Sequence, residues 1–147
     1  MSMKKQTDIV LDFRKDTKNY INCITFSRFP YFDTKTNKNS YKARPILIIG
    51  CEKERFPCDV NILPVSTISS GRHIHEEYDK LIPDDVLGNL KMLSKKSYIR
   101  VHKQSTVNSM DIANDVTPIN LKEISSEFYD EIMNSHSSFV NGLFDES

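Results

Sequence analysis

The longest unbroken aliphatic run lies about a third of the way along the chain, from Ile46 to Ile49. It follows Arg44-Pro45 and is closed by Gly50. A continuous run of this kind predicts a strand that is buried on both faces. Pro45 fixes φ where polar chain enters this strand. Arg44 is therefore expected at the rim of the core, where a cation is well placed to meet an anion.

Shorter segments with β-type patterns follow the same logic. The first is rich in β-forming side chains and is expected to end at Pro30, whereas Pro64 is expected to mark a bulge or an edge in the second. The predicted strands are residues 20–29, 59–67, 78–82, 91–93 and 97–101.

The last of these strands has two different faces. Its alternation directs Ile99 and Val101 towards the core, so that Tyr98, Arg100 and His102 share the opposite face. The i to i+2 repeat of a strand, about 7 Å, places the arginine and the histidine side by side.

The remaining segments are polar or change period. Residues 33–42 predict a mobile, functional loop, residues 106–117 a connection with a short helical turn, and residues 3–19 an N-terminal helix or arm. From Asn120 onwards the apolar positions recur at three and four, which predicts an amphipathic helix capped by Asn120 or Thr117. Its stripe is Leu121, Ile124, Phe128, Ile132 and His136/Phe139.

These elements predict a mainly β protein: a small barrel closed by a C-terminal helix. We expect one domain over residues 20–147, preceded by an arm over residues 1–19. The 147 residues and the 38% hydrophobic content suffice for one core.

The charges are balanced overall but unevenly placed. The chain has 20 basic and 20 acidic residues, yet residues 111–147 hold eight acids and one base, a net −7, so residues 1–110 carry +7. This asymmetry favours a basic working surface beside an acidic helical edge, unless the charges intermix in space. The stretch between Asp85 and Asp111 has no acid but contains Lys91, Lys95, Lys96, Arg100 and Lys103.

The cysteines and the hydropathy suggest a compartment. Cys23, Cys51 and Cys58 are odd in number and lack metal-ligand spacing, so reduced thiols in a cytoplasmic protein are expected. His73 and His75 are too isolated to favour a zinc site. No metal or cofactor is expected. No membrane span is expected because no apolar run approaches about 18 residues, and no secretory signal because the charged N-terminus lacks an apolar stretch.

Anion chemistry is the most informative possibility. Arg44, Arg100, Lys103 and His102 lie at strand ends or on a polar face, and Ser66-Thr67 end an apolar strand. An arginine, a hydroxyl and a histidine suffice to cleave RNA without a metal, since the 2′-hydroxyl attacks the neighbouring phosphate. Taken singly, each also has a purely structural interpretation. Arg100 could form a cross-strand salt bridge, His102 could be a structural histidine, Ser66-Thr67 could simply end a strand, and Arg44 could be a solvated charge.

Three segments in a fixed order resemble a known family. These are Lys42-Ala43-Arg44-Pro45-Ile46-Leu47-Ile48-Ile49, then residues 61–67 (NILPVST), then residues 97–107 (SYIRVHKQSTV). The order is similar to that of the MazF/PemK (Kid) family of bacterial toxins, over about residues 20–140.

The resemblance implies an SH3-like, CcdB-type barrel that works as a homodimer. It also implies a metal-independent endoribonuclease that cuts single-stranded mRNA at short sequences and is neutralised by a cognate antitoxin. The catalytic residues would be Arg44, Ser66, Arg100 and His102, and the RNA-binding residues would be Lys42, Thr67, Tyr98, Lys103 and Gln104.

The chain departs from the family pattern in its N-terminal arm, in Tyr20-Ile21-Asn22 where Gly-Asp is usual before the first strand, and at two site positions. His102 stands where the Kid/PemK branch has an aspartate, and Asn39 where a loop glutamate is usual. Tyr41 and Tyr98 are candidates for stacking on bases or for packing in the barrel. One alternative is a non-catalytic module on the same barrel, which either poisons gyrase as CcdB-like proteins do or binds RNA or a partner without cutting; Phe139 and Phe144 are the relevant aromatics. Another is a structural or regulatory protein without toxicity.

Overall fold

The computed structural model describes residues 16–68 and 73–144 of the chain. Within these ranges seven strands form one curled antiparallel sheet, so the prediction of a mainly β protein with a C-terminal helix is confirmed. The strands are β1 (Cys23–Asp33), β2 (Lys38–Cys51), β3 (Asp59–Ser66), β4 (Asp79–Leu81), β5 (Tyr98–Arg100), β6 (Ser105–Asn108) and β7 (Ile119–Asn120).

The strand order gives β3 two different neighbours along one of its edges. It runs β4-β5-β3-β2-β1-β7, and β6 pairs with the first half of β3 while β5 pairs with its last two residues. Pro64 pairs with Ile46 on one side and lies between these two neighbours on the other. A residue without an N–H fits there, since no ladder bond is needed on that side.

The predictions for the first hairpin were partly wrong. Pro30 does not end β1, which continues to Asp33 with β2 as its partner throughout. The segment 33–42 is not a loop, because β2 begins at Lys38 and only residues 34–37 turn. Asn37 closes this turn with a φ of 55°, a left-handed conformation that asparagine tolerates. We call residues 28–44 the ribbon.

Two short segments were also assigned wrongly. Residues 91–93 form a turn rather than a strand, and Leu93 N–H donates to Leu90 O at 2.8 Å. Met92 and Leu93 pack on the core from this turn, which explains their apolar character. The predicted connection over residues 106–117 begins inside a strand, Ser105–Asn108, whereas the short helical turn predicted within it is present at Ser109–Asp111.

The C-terminal helix is present but broken once. A separate one-turn helix, α1 (Asp84–Leu87), comes earlier in the chain. The two parts of the C-terminal helix are α2 (Leu121–Ile124) and α3 (Ser126–Leu143). Asn120 caps α2, as predicted, by accepting from Glu123 N–H. Ser125 is extended, with φ −152° and ψ 97°, and its side chain caps α3.

The core has two parts, one on each face of β2 and β3. Ile24, Leu47 and Leu63 pack with Phe128 and Ile132 of α3, whereas Ile46, Ile48 and Ile62 pack with Val107 of β6. The aliphatics from Ile46 to Ile48 are fully buried, which confirms a strand covered on both faces.

The start of the described chain is tied to the sheet. Thr17 begins a 3₁₀ turn, Thr17–Asn19. Its N–H and its hydroxyl both donate to Glu54 O. Most of the predicted arm over residues 1–19 lies outside the described residues. The three cysteines are free thiols, and no helix among the described residues is long and apolar enough to cross a membrane.

Candidate functional site

Strand register collects polar side chains on one face of the sheet. Arg44 shares the parity of Ile46, which pairs with Pro64, and Ser66 shares the parity of Pro64. Ser66 in turn pairs with Tyr98, which has the parity of Arg100. Side chains from three strands therefore project to one side.

A pocket of about 530 Å³ opens on this face. Its polar lining includes three cations and, among the described residues, no carboxylate; Phe29, Pro45, Pro64 and Val65 give it apolar walls. Such a lining suits an anion that carries an apolar or aromatic group. The predicted residues that line it are Arg44, Ser66, Arg100, His102, Lys103 and Gln104.

Three other predicted residues lie outside the lining. Tyr98 is half-buried beside Ser66, and Thr67 is exposed just beyond the end of β3. Lys42 is exposed on the ribbon, opposite Phe29 of the pocket wall. The structure thus brings together all four proposed catalytic side chains and two of the five proposed RNA-binding ones.

Arg100 is held by a buried carboxylate. Its Nε donates to Asp79 Oδ1 at 2.9 Å and its Nη2 to Asp79 Oδ2 at 3.4 Å, across the β4–β5 pair. Nη2 also donates to His73 O at 3.3 Å. The Asp79 side chain is 0% exposed and that of Arg100 is 25% exposed. The cross-strand salt bridge left open above is therefore present, and Arg100 enters the pocket with its orientation already fixed.

His102 lies at the back of the pocket, just after β5. Its side chain is 9% exposed, and its Nδ1 is buried without a hydrogen-bond partner, 3.9 Å from Asp79 Oδ1. Burial lowers the pKa of His102, assisted by the charge of Arg100 and opposed by that of Asp79. The neutral ring therefore dominates at neutral pH, which suits a proton acceptor better than a proton donor.

Helix α3 supports the pocket from behind. The ring of Phe139 lies 5.0 Å from that of Tyr78 and 6.2 Å from that of His102, so it belongs to the helix's packed face. One turn earlier, His136 Nε2 lies 2.6 Å from Oε1 of Gln104. Burial lowers the pKa of His136 as well. The helix therefore orients two residues of the pocket lining.

The ribbon continues the face of the pocket outwards. One side of it carries the cations Arg44, Lys42 and Lys38 and the rings of Phe29 and Tyr31, with the carboxylate of Asp33 opposite Lys38 at the far end. Tyr31 is 45% exposed. From Arg44 to Lys38 the strand rises by about 20 Å at roughly 3.3 Å per residue. On the other side the Arg28 guanidinium covers the ring of Tyr41 at 5.1 Å, so that tyrosine already has a cationic partner.

Sequence reasoning missed Asp79, His75 and His136. Asp79 lies in a strand that was predicted, and a single acid facing the position opposite Arg100 was the available signal. Finding it required the pairing of β4 with β5, which a three-residue strand does not reveal. The helical spacing that placed His136 on the packed stripe was seen, but its contact with Gln104 depends on how α3 docks.

Neither the family models nor the curated proteins compared with this chain give a match. The chemistry of the pocket and of the ribbon is therefore the basis for a functional hypothesis.

Proposed function

We propose that the protein is a metal-independent, sequence-selective endoribonuclease that cleaves single-stranded RNA. The observation that supports this most is the convergence of Arg44 of β2, Ser66 of β3, and Arg100 and His102 at the end of β5 in one pocket. Two arginines, a hydroxyl and a neutral histidine are the groups that a metal-free transesterification needs.

The proposed reaction begins with attack of the 2′-hydroxyl oxygen on the adjacent phosphorus. His102 Nε2 accepts the hydroxyl proton, because Nδ1 is buried. The bond from phosphorus to the 5′-oxygen breaks, and that oxygen takes a proton from solvent, since the pocket is open. The products are a 2′,3′-cyclic phosphate and a 5′-hydroxyl end.

The cations have distinct roles in this scheme. Arg44 is exposed at the rim and binds the scissile phosphate. Arg100 is fixed by Asp79 through Nε and Nη2, and its Nη1 donates to the same phosphate. Ser66 donates a hydrogen bond to a phosphate oxygen. Lys103 and Gln104 contact the flanking nucleotide.

The ribbon supports single-stranded RNA as the substrate. On the face that leads out of the pocket, the half-buried ring of Phe29 lies opposite Lys42, and the exposed ring of Tyr31 comes next along β1. Rings that stack on bases and cations that contact phosphates are the usual means of binding a single strand. Lys42 and Tyr31 lie where nucleotides next to the scissile one would pass.

The wider assignments belong to the same proposal. The curled sheet and the C-terminal helix are compatible with an SH3-like toxin barrel. We accordingly propose a cytoplasmic homodimer whose cognate antitoxin covers the pocket. Thr67 and Tyr98, near Ser66, would then contact RNA at the pocket margin.

The experiment is cleavage of a long single-stranded RNA in EDTA. The wild type should give discrete fragments ending in cyclic phosphate, and Arg44→Ala and His102→Ala should each be slower by about 100-fold or more. Lys91→Ala, which removes an exposed lysine outside the pocket, is the matched control. Intact RNA with the folded wild type would refute the proposal.

One observation favours a second candidate, a non-catalytic module that acts by protein contact. Leu143 and Phe144 are 64% and 81% exposed at the end of α3, and an exposed aromatic end is the feature that CcdB-like poisons use. In that case RNA stays intact, gyrase or another target is inhibited, and Phe144→Ala abolishes the inhibition.

A further inference from the structure

A fully buried carboxylate lies directly behind the pocket. Asp79 Oδ2 accepts from His75 N–H at 2.8 Å and from Arg100 Nη2 at 3.4 Å. Oδ1 accepts from Arg100 Nε at 2.9 Å and faces His102 Nδ1 at 3.9 Å. One aspartate therefore touches or faces both residues that β5 and its following turn direct into the pocket.

Burial of such a group needs compensation. Removal of a carboxylate from water costs several kcal/mol unless it is paired and hydrogen-bonded, and Asp79 has both kinds of partner. A packed apolar pair would cover the same space at no such cost. The ion pair therefore contributes orientation rather than stability alone.

We propose that Asp79 is a positioning residue that fixes the Arg100 guanidinium and holds His102 in the tautomer with its proton on Nδ1. The lone pair of Nε2 is then free on the side of the ring that is not buried. The neutral imidazole has two tautomers, and an anion facing one nitrogen favours the proton there.

The surroundings of His102 leave Asp79 as the group that makes this selection. Among the described residues, the charged or titratable neighbours are Asp79, Arg100, His75, Lys103 and Tyr78, whose ring lies 6.2 Å away. Of these, Asp79 is the anion that faces Nδ1. His75 Nδ1 already accepts from Glu77 N–H at 3.3 Å and Tyr78 N–H at 3.2 Å. The contribution from α3 is the apolar ring of Phe139.

The consequence for catalysis rests on the proposed function, but the tautomer does not. The first measurement therefore uses the full chain without RNA. Two-bond ¹H–¹⁵N NMR spectra distinguish a protonated Nδ1 from a protonated Nε2, and His102→Gln identifies the signal. The variant is Asp79→Asn, which keeps the shape and removes the charge. The matched control is Asp111→Asn, which removes the partner of Arg28 on the surface.

We expect the Nδ1–H tautomer in the wild type and in Asp111→Asn, and a shift towards Nε2–H in Asp79→Asn. A predominantly Nε2–H wild type, or an unchanged tautomer in Asp79→Asn, would overturn the proposal. If Asp79→Asn does not fold, the wild-type tautomer decides by itself.

RNA cleavage provides the second measurement. Asp79→Asn should lower kcat roughly 10- to 100-fold, with a smaller change in KM, because it alters the base and the orientation of Arg100 but leaves the exposed, phosphate-binding Arg44 in place. A raised KM with an unchanged kcat would contradict a positioning role. If the wild type shows the expected tautomer but cleaves no RNA, the proposed function fails and the role of Asp79 in orienting His102 stands.

Discussion

Acidification should destabilise this protein through two histidines. Burial lowers the pKa of both His102 and His136 in the folded state. In the unfolded chain each titrates near 6.5. As the pH falls through that value, the unfolded chain takes up protons that the folded protein refuses, so the free energy of unfolding decreases. The loss stops once the pH is below the folded pKa values.

The number of protons sets the upper limit of the effect. Each histidine can contribute at most one proton, or about 1.4 kcal/mol per pH unit, so the pair contributes at most about 2.7 kcal/mol per pH unit below pH 6.5. Each histidine reaches this limit only while the pH lies between its lowered folded pKa and 6.5.

Urea unfolding, followed by far-UV circular dichroism between pH 7.5 and 5.0, measures this. Carboxylates also titrate at the acid end, so the double variant His102→Gln/His136→Gln provides the reference. The wild type should lose more stability than the variant between pH 6.5 and 5.5. Equal pH dependence in the two proteins would refute the reasoning, and a wild type that gains stability on acidification would reverse its sign.

Three further changes test the helix and the ribbon. Ser125→Ala should lower the free energy of unfolding by about 1 kcal/mol through loss of the α3 cap, whereas exposed Ser137→Ala should not, and equal urea midpoints would contradict the cap. Phe139→Ala should lower it by roughly 2 kcal/mol, because the half-buried ring packs behind the pocket; an unchanged midpoint would place α3 elsewhere. Lys42→Ala should reduce the slope of log affinity for single-stranded RNA against log salt by about 0.7, and a change no larger than that of Lys91→Ala would exclude a phosphate contact.

The sheet could be predicted from the sequence where burial is strong. The aliphatics of β2 and the alternation around Ile99 located their strands, because burial on one or both faces leaves a clear periodicity. The ribbon could not be predicted in this way. Most of its residues are exposed, so polar side chains are accepted at every position and no period of two marks the strands. The length of β1 beyond Pro30 depends on its pairing with β2 alone.

The candidate site shows the same division. Arg44, Ser66 and Arg100 could be expected to meet because each adjoins an apolar strand segment, although Arg44 lies in the middle of β2 and not at its start as expected. Asp79 could not, since the residue that orients Arg100 lies 21 positions away and depends on the register of two three-residue strands. The tilt of α3, which brings His136 to Gln104, is likewise set by packing and not by period.

The ribbon also has a consequence for self-association. Among the described residues, β1 from Phe29 to Asp33 and β2 from Lys38 to Lys42 pair only with each other, so both leave an open backbone edge. Open edges invite pairing with another chain and growth into aggregates. Pro30 removes one donor from its edge, and the lysines of β2 would face like charges across a second ribbon. The chain can therefore expose the two-stranded ribbon while disfavouring the association of one ribbon with another.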